Sequence, residues 1–195
     1  MAVKLDMSKA YDRVEWGFIE GVMEKMGFHE KWIQLVMKCI STVSYSVIIN
    51  GAVHGCIFPT KGLRQGDPLS PYLFLLCADG FSSLIKEAAR TQMLSGISIC
   101  RGCPMVTHLF FADDSLLFCK ASEQECLKLI EILELYEATS GQKVNAEKSW
   151  SFSATIPLKK EGVKCWTFWD RCKTQDMGNI WVFHPSLEGL NLKYL

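Results

Sequence analysis

The sequence predicts an α+β domain, and three observations lead there. Short period-two apolar runs alternate irregularly with segments of helical period along the 195 residues. Asn50-Gly51, flanked by strand formers, marks an antiparallel hairpin. Apolar residues make up 49% and charged residues 22%, a balance that supports one folded core and excludes a disordered chain.

The first strand is expected over 2–7, with Val3 and Leu5 on one face and Lys4 and Asp6 on the other. Asp12 is the expected N-cap of a helix over about 14–26, whose stripe is Phe18, Val22 and Met26 and whose stop is Gly27. A second helix over about 30–40 buries Ile33, Val36 and Met37. The hairpin follows, with strand formers over 45–49 and a shorter return strand through 56–58. Glycines and prolines make 61–71 a loop. An apolar helix then runs from Pro71 to about Ala89, with Leu75, Leu76 and Ile85 inside. Two apolar strands, 107–111 and 115–118, flank Ala112-Asp113-Asp114. Ser122 opens a last helix with Glu125 at the capping-box position and a stripe of Cys126, Leu129, Ile130, Leu133 and Tyr136, and Gly141 ends it. A final strand is expected over 148–153.

Lys plus Arg and Asp plus Glu number 21 each, weak ground for an extended phosphate-binding surface. Lys4 and Asp6 interrupt the only early apolar run, so no secretory signal is expected. No stretch of 18 apolar residues occurs, so no membrane span is expected either. Nine scattered cysteines fit a reducing compartment, nucleus or cytoplasm. Cys100-Arg101-Gly102-Cys103 has the spacing of half a zinc site, followed by His108, but no second pair accompanies it; the alternative is a turn with two buried thiols.

Chemistry concentrates in three places. Asp113 and Asp114 stand side by side between Leu-Phe-Phe-Ala and Ser-Leu-Leu-Phe. Adjacent carboxylates repel, and beside apolar strands each needs a partner, which a divalent cation supplies. The alternative is a solvated hairpin turn. Asp6 also interrupts an apolar strand, and carboxylates from two strand ends are the arrangement that holds two metal ions for phosphoryl transfer. The loop 62–71, Gly-Leu-Arg-Gln-Gly-Asp-Pro-Leu-Ser-Pro, combines two glycines with Arg64, a phosphate fork, and Gln65, a hydrogen-bonding partner for a sugar or base. As a plain strand-to-helix connection it would have Ser70 as N-cap and Pro71 at N1, which leaves Arg64 to Pro68 unexplained.

These segments carry a resemblance. Lys-Leu-Asp-Met-Ser-Lys-Ala-Tyr-Asp-Arg-Val (4–14), the 62–71 loop and Phe-Ala-Asp-Asp (111–114) resemble motifs A, B and C of reverse transcriptases of the non-LTR, LINE-type retrotransposons of plants. Ser-Gly-Gln-Lys-Val-Asn-Ala-Glu-Lys-Ser (140–149) is similar to motif D. The resemblance implies a palm with an antiparallel sheet and packed helices over 1–155, fingers and thumb largely missing. It implies an RNA-directed DNA polymerase that adds deoxynucleotides to a primer 3′-hydroxyl. RNA template, DNA primer and dNTPs would be the partners, and two Mg²⁺ ions, or Mn²⁺, the cofactors. Asp6, Asp113 and Asp114 would be catalytic metal ligands and Tyr11 the gate against a ribose 2′-hydroxyl. Arg64, Gln65 and Gly66 would line the nucleotide, and Lys143 or Lys148 would protonate pyrophosphate. An acidic centre with basic surfaces on other domains accommodates the neutral charge.

Residues 156–195 do not resemble the family. Codons for 179–195 can be chosen so that a shifted frame reads Tyr-Leu-Gly-Phe-Pro, similar to the family's next motif, which marks the tail as out-of-frame translation. Lacking fingers and thumb, the isolated chain is expected to be inactive and to bind nucleic acid weakly. The alternatives are a group II intron maturase-like protein and a host-adopted nucleic-acid-binding module without synthesis.

Overall fold

A computed structural model describes residues 1–152; the expectation for the tail lies outside the described residues. Strand β1 (Ala2–Asp6) is the spine of the fold. Its alternate residues Val3 and Leu5 are fully buried, and it pairs on both edges, so no edge is left to solvent. Strands β4 (His108–Phe111), β5 (Asp114–Phe118) and β6 (Trp150–Phe152) complete an antiparallel sheet in the order β4-β5-β1-β6.

Four helices accompany it: α1 (Trp16–Lys25), α2 (Glu30–Ser41), α3 (Ser70–Arg90) and α4 (Glu123–Ser140). Helix α1 packs on the other three, and α3 packs on α4 and β4. One face of the sheet, with Val3, Leu5 and Leu117, joins Ile19, Met23, Phe81, Ile85 and Leu129 in a single core. Phe81 stacks on Tyr136 at 4.5 Å and on Phe110 at 5.4 Å, tying α3 to α4 and to the sheet. The opposite face of the sheet keeps Lys4, Asp6 and Asp114 half-exposed.

Several expectations held. Asn50 and Gly51 both have positive φ, at 52° and 80°, as a tight hairpin turn demands. Ser122 caps α4, accepting the Glu125 N–H, and Gly141 ends it in the left-handed region at φ 74°. Others need correction. Helix α1 starts at Trp16 after Glu15, not at Asp12, because tertiary bonds claim the segment before it: the Glu15 N–H donates to the Ser140 carbonyl. Its buried stripe is Ile19 and Met23, one residue along from the expected one, and Met26 is exposed. The return strand β3 (Ala52–Ile57) is longer than expected, since the turn pairs Ile49 with Ala52 and lets the ladder with β2 (Tyr45–Ile49) start at once. Leu75 is exposed at 63%, since Leu73, Phe74 and Cys77 face the core of α3 instead. Leu69, not Ser70, is the α3 N-cap; Asp67 Oδ1 accepts the Leu69 N–H at 2.8 Å and winds the chain in one residue early. Glu125 does not close a capping box, because its carboxylate accepts from Ser95 and from the Lys120 N–H. Cys100 and Cys103 are not two buried thiols: both are exposed and joined to each other as a disulfide. Among the described residues no helix is long and apolar enough to cross a membrane.

Candidate active site

The strand pair β1–β5 sets Asp6 opposite Asp114. Between β4 and β5 the chain reverses within two residues, Phe111 pairing with Asp114. Ala112 takes φ 52°, a left-handed conformation that costs a non-glycine residue about 1 kcal/mol. Lys9, just beyond β1, also sits at φ 52°. Backbone strain of this kind persists where surrounding structure over-determines it, commonly at functional sites. Both residues line one cavity of about 820 Å³.

Besides the β4–β5 turn, which contributes Ala112 and Asp113, three chain segments build that cavity. The first is the end of β1 and the turn after it, which contributes Asp6, Ser8, Lys9 and Tyr11. The ring of Tyr11 is stacked on Phe74 of α3, centroids 4.8 Å apart and nearly parallel. The second is the 62–71 loop, with Arg64, Gln65 and Gly66 on the cavity wall. It is pinned to the first: the Leu63 N–H donates to the Tyr11 carbonyl at 2.7 Å, the Gly62 N–H to the Val14 carbonyl at 2.8 Å, and Trp16 Nε1 to the Gly62 carbonyl at 2.7 Å. Gly62 is required here, at φ 87°, because a Cβ would lie 2.8 Å from the Asp12 carbonyl oxygen. Arg64 also lies over the Tyr45 ring, 5.9 Å from its centroid.

The third is 140–149, which clamps β1 from the far side. The Asn145 N–H donates to the Asp6 carbonyl at 2.8 Å, the Asp6 N–H to Ser149 Oγ at 3.2 Å, and the Ser8 N–H to the Lys143 carbonyl at 2.8 Å. Gln142, fully buried, donates through Nε2 to the Ala10 carbonyl at 2.6 Å. Asp6 thus sits between two loops, one bonded to its own strand and the other to the segment that follows it.

The expected residues separate at this level. Asp6, Tyr11, Arg64, Gln65, Gly66, Asp113 and Lys148 all line the cavity. Lys143 does not; its ammonium is paired with Glu137 at 3.2 Å. Asp114 does not line it either; its carboxylate is paired with Lys4 at 2.7 Å. Among the described residues no three His, Cys, Asp or Glu side chains close into a metal-ligand group. The donor set still fits a hard divalent cation, since Mg²⁺ is commonly held by one or two carboxylates with substrate phosphates and water completing its shell, and Asp6 and Asp113 supply two. The sequence reading missed Ser8, Lys9 and Asn145 at the cavity and the partner of Asp114. Lys4 was legible in part, because strand alternation already put it on the face of Asp6. Asn145 carries no chemical signal of its own.

A family model described as reverse transcriptase (RNA-dependent DNA polymerase) matches residues 1–173. The chain is 29% identical over 152 residues to a retrovirus-related Pol polyprotein from the type-1 retrotransposable element R2 of Popillia japonica, covering 78% of this chain and 24% of that protein. It is 52% identical over 68 residues to an uncharacterised mitochondrial protein of Arabidopsis thaliana, 35% of this chain and 56% of that one. It therefore spans well under two thirds of the length of these relatives. In fold it is similar to apo telomerase from Candida tropicalis, with a TM-score of 0.61 at 17% identity over 80% of this chain and 31% of that one.

Proposed function

We propose, from the premise that this chain belongs to the reverse transcriptase family, that its cavity is the nucleotidyl-transfer site of an RNA-directed DNA polymerase. The chain would be its palm, over 1–155. The observation that carries the reading is that Asp6, Tyr11, Arg64, Gln65, Asp113 and Lys148, contributed by four separate motif segments, line one cavity.

Asp6 and Asp113 would hold divalent metal, Mg²⁺ or Mn²⁺, with Asp114 behind them. When bound, the ions supply the Lewis acidity that activates a primer 3′-hydroxyl and neutralises the triphosphate and the leaving pyrophosphate. Tyr11, fixed in place by its stack on Phe74, presents a wall against the sugar, and a wall that cannot yield excludes an added 2′-hydroxyl. Arg64 offers a planar fork to phosphate oxygens. Gln65 and Gly66 border the base and sugar, Gly66 with the open backbone of φ 83°. Lys148, being at the cavity, is the better placed of the two lysines to give a proton to the departing pyrophosphate. Lys143, engaged by Glu137, would act only on release.

RNA template, DNA primer and dNTPs are the partners under this reading, and the 1–195 chain alone would not synthesise DNA. Positioning supplies much of the rate in such reactions, and the carboxylates of one cavity do not by themselves align a template and primer. The test has two arms on purified 1–195. A fluorescent dNTP should bind weakly in Mg²⁺, with EDTA or Asp113→Asn removing the signal. Binding indifferent to both would sink the site. Primer extension should be absent; extension that Asp113→Ala abolishes would overturn the proposed inactivity and leave the site standing.

A further inference from the structure

Strands β1 and β5 run antiparallel with Asp6 opposite Asp114 and Lys4 opposite Leu116. Residues two apart on a strand share a face, so all four side chains leave the same side of the sheet. From there the Lys4 ammonium reaches diagonally across the pair to Asp114 Oδ1 at 2.7 Å. Asp6 and Asp113 line the cavity, and Asp114 does not. Three carboxylates at this end of the sheet repel one another, and the Lys4 ammonium offsets one of the three. With side-chain exposures of 34% and 42% the ion pair is reached by water, so it is exchangeable, unlike a buried one.

We propose that Lys4 is a positioning residue: its ammonium is the standing counter-ion of Asp114, so that a divalent cation entering the cavity is held by Asp6 and Asp113 while Asp114 is kept out of the ligand set. This rests on the reading of the cavity as a metal-binding site. Two consequences follow from the register. Removing Lys4 frees a carboxylate directly opposite Asp6, and that carboxylate then joins the set. Arginine at the same position preserves the ion pair and leaves the ligand set as it is.

The measurement is Mn²⁺ binding to the 1–195 chain, read from the electron paramagnetic resonance of the free ion, with circular dichroism checking each fold. Asp6→Asn and Asp113→Asn should each weaken binding by about tenfold, and Asp114→Asn by less than about threefold, since a ligand lost outright costs far more than a screened neighbour. Lys4→Met should tighten binding, Lys4→Arg should not, and adding Asp114→Asn to Lys4→Met should remove the gain. Lys4→Gln replaces Lys4→Met should that variant not fold. If Asp114→Asn alone weakens binding as much as Asp113→Asn does, Asp114 is already a ligand and the inference fails. It fails too if Lys4→Met tightens binding as much in the Asp114→Asn background as in the wild type, which would make the gain a general charge effect. Binding indifferent to Asp6→Asn and Asp113→Asn has a different meaning: the cavity is then not a metal site, and the proposed function falls together with this inference.

Discussion

Two residues fix the geometry around the cavity in ways that stability can read. Gly62 is held at φ 87° with no room for a Cβ beside the Asp12 carbonyl. Gly62→Ala should therefore cost about 1–3 kcal/mol through backbone strain and a forced shift of the 62–71 loop, measured by urea denaturation. A loss under about 0.5 kcal/mol, the ordinary scatter of surface changes, would show that the loop is not pinned there. Glu125 is the second. Burial pushes its carboxyl up, but the N–H of Lys120, the hydroxyl and N–H of Ser95 and the Lys120 charge outweigh that and hold it net below the ordinary 4.5. A folded value below the unfolded one means that the contribution is fully present above the unfolded value and is lost as pH falls through the folded one. The wild type should therefore lose stability on acidification below about pH 4.5 by more than Glu125→Gln does, in denaturation series at pH 6 and pH 3.5. Equal slopes would remove Glu125 from the account. Neither effect was legible in the sequence. Gly62 read as a loop glycine and Glu125 as half of a capping box, because the partners that claim them, Asp12 and Ser95, are distant in the chain.

At the level of elements, legibility followed how local the determining signal is. The turn at Asn50-Gly51 and the ends of α4 at Ser122 and Gly141 are decided by backbone conformations that one or two residues specify, and the sequence showed them. The face of α1 and the start of α3 are decided by docking, and there the reading slipped by one residue. The convergence of motifs was legible as residue types but not as geometry. Strand alternation put Lys4 beside Asp6, yet only the register of β1 on β5 reveals that Lys4 reaches Asp114, and only the docking of 140–149 along β1 shows that Lys148 rather than Lys143 borders the cavity. That register depends on β1, so the spine is the place to test it. Leu5 is fully buried between Asp6 and Lys4, and Leu5→Ala should cost about 2–5 kcal/mol as transfer and cavity terms add. Midpoint shifts in urea would measure it. Because Leu5 faces the core and Asp6 the cavity, a variant that still folds should keep its Mn²⁺ affinity near that of the wild type, and a parallel collapse of both would show that register and site are one cooperative unit.

The whole molecule carries no net charge, and what it can hold is set by charges gathered at one place. The cavity has three cations, Lys9, Arg64 and Lys148, facing three carboxylates, Asp6, Asp67 and Asp113. Without metal these offset one another, so nucleic acid should bind poorly. With Mg²⁺ on the carboxylates the balance turns positive, which predicts that Mg²⁺ strengthens binding. It should also raise the melting temperature of the wild type, since a ligand of the native state alone stabilises by mass action, and should not do so in Asp113→Asn. The size of the nucleic-acid effect follows from counterion release. Each phosphate neutralised on duplex contributes about −0.9 to the slope of log affinity against log salt, so three cavity cations give a slope of about −3. A basic groove on another face would give a steeper one. The fluorescence anisotropy of a labelled RNA–DNA duplex, titrated with 1–195 at several KCl concentrations and fixed Mg²⁺, measures it. Lys148→Met should flatten the slope by about one and weaken binding across all sequences alike, as loss of a phosphate contact does. Lys143→Met should leave the slope unchanged, because Glu137 already holds that ammonium. If Lys143→Met flattens the slope and Lys148→Met does not, phosphate runs along the outer side of the 140–149 segment, and the cavity is not where this chain meets nucleic acid.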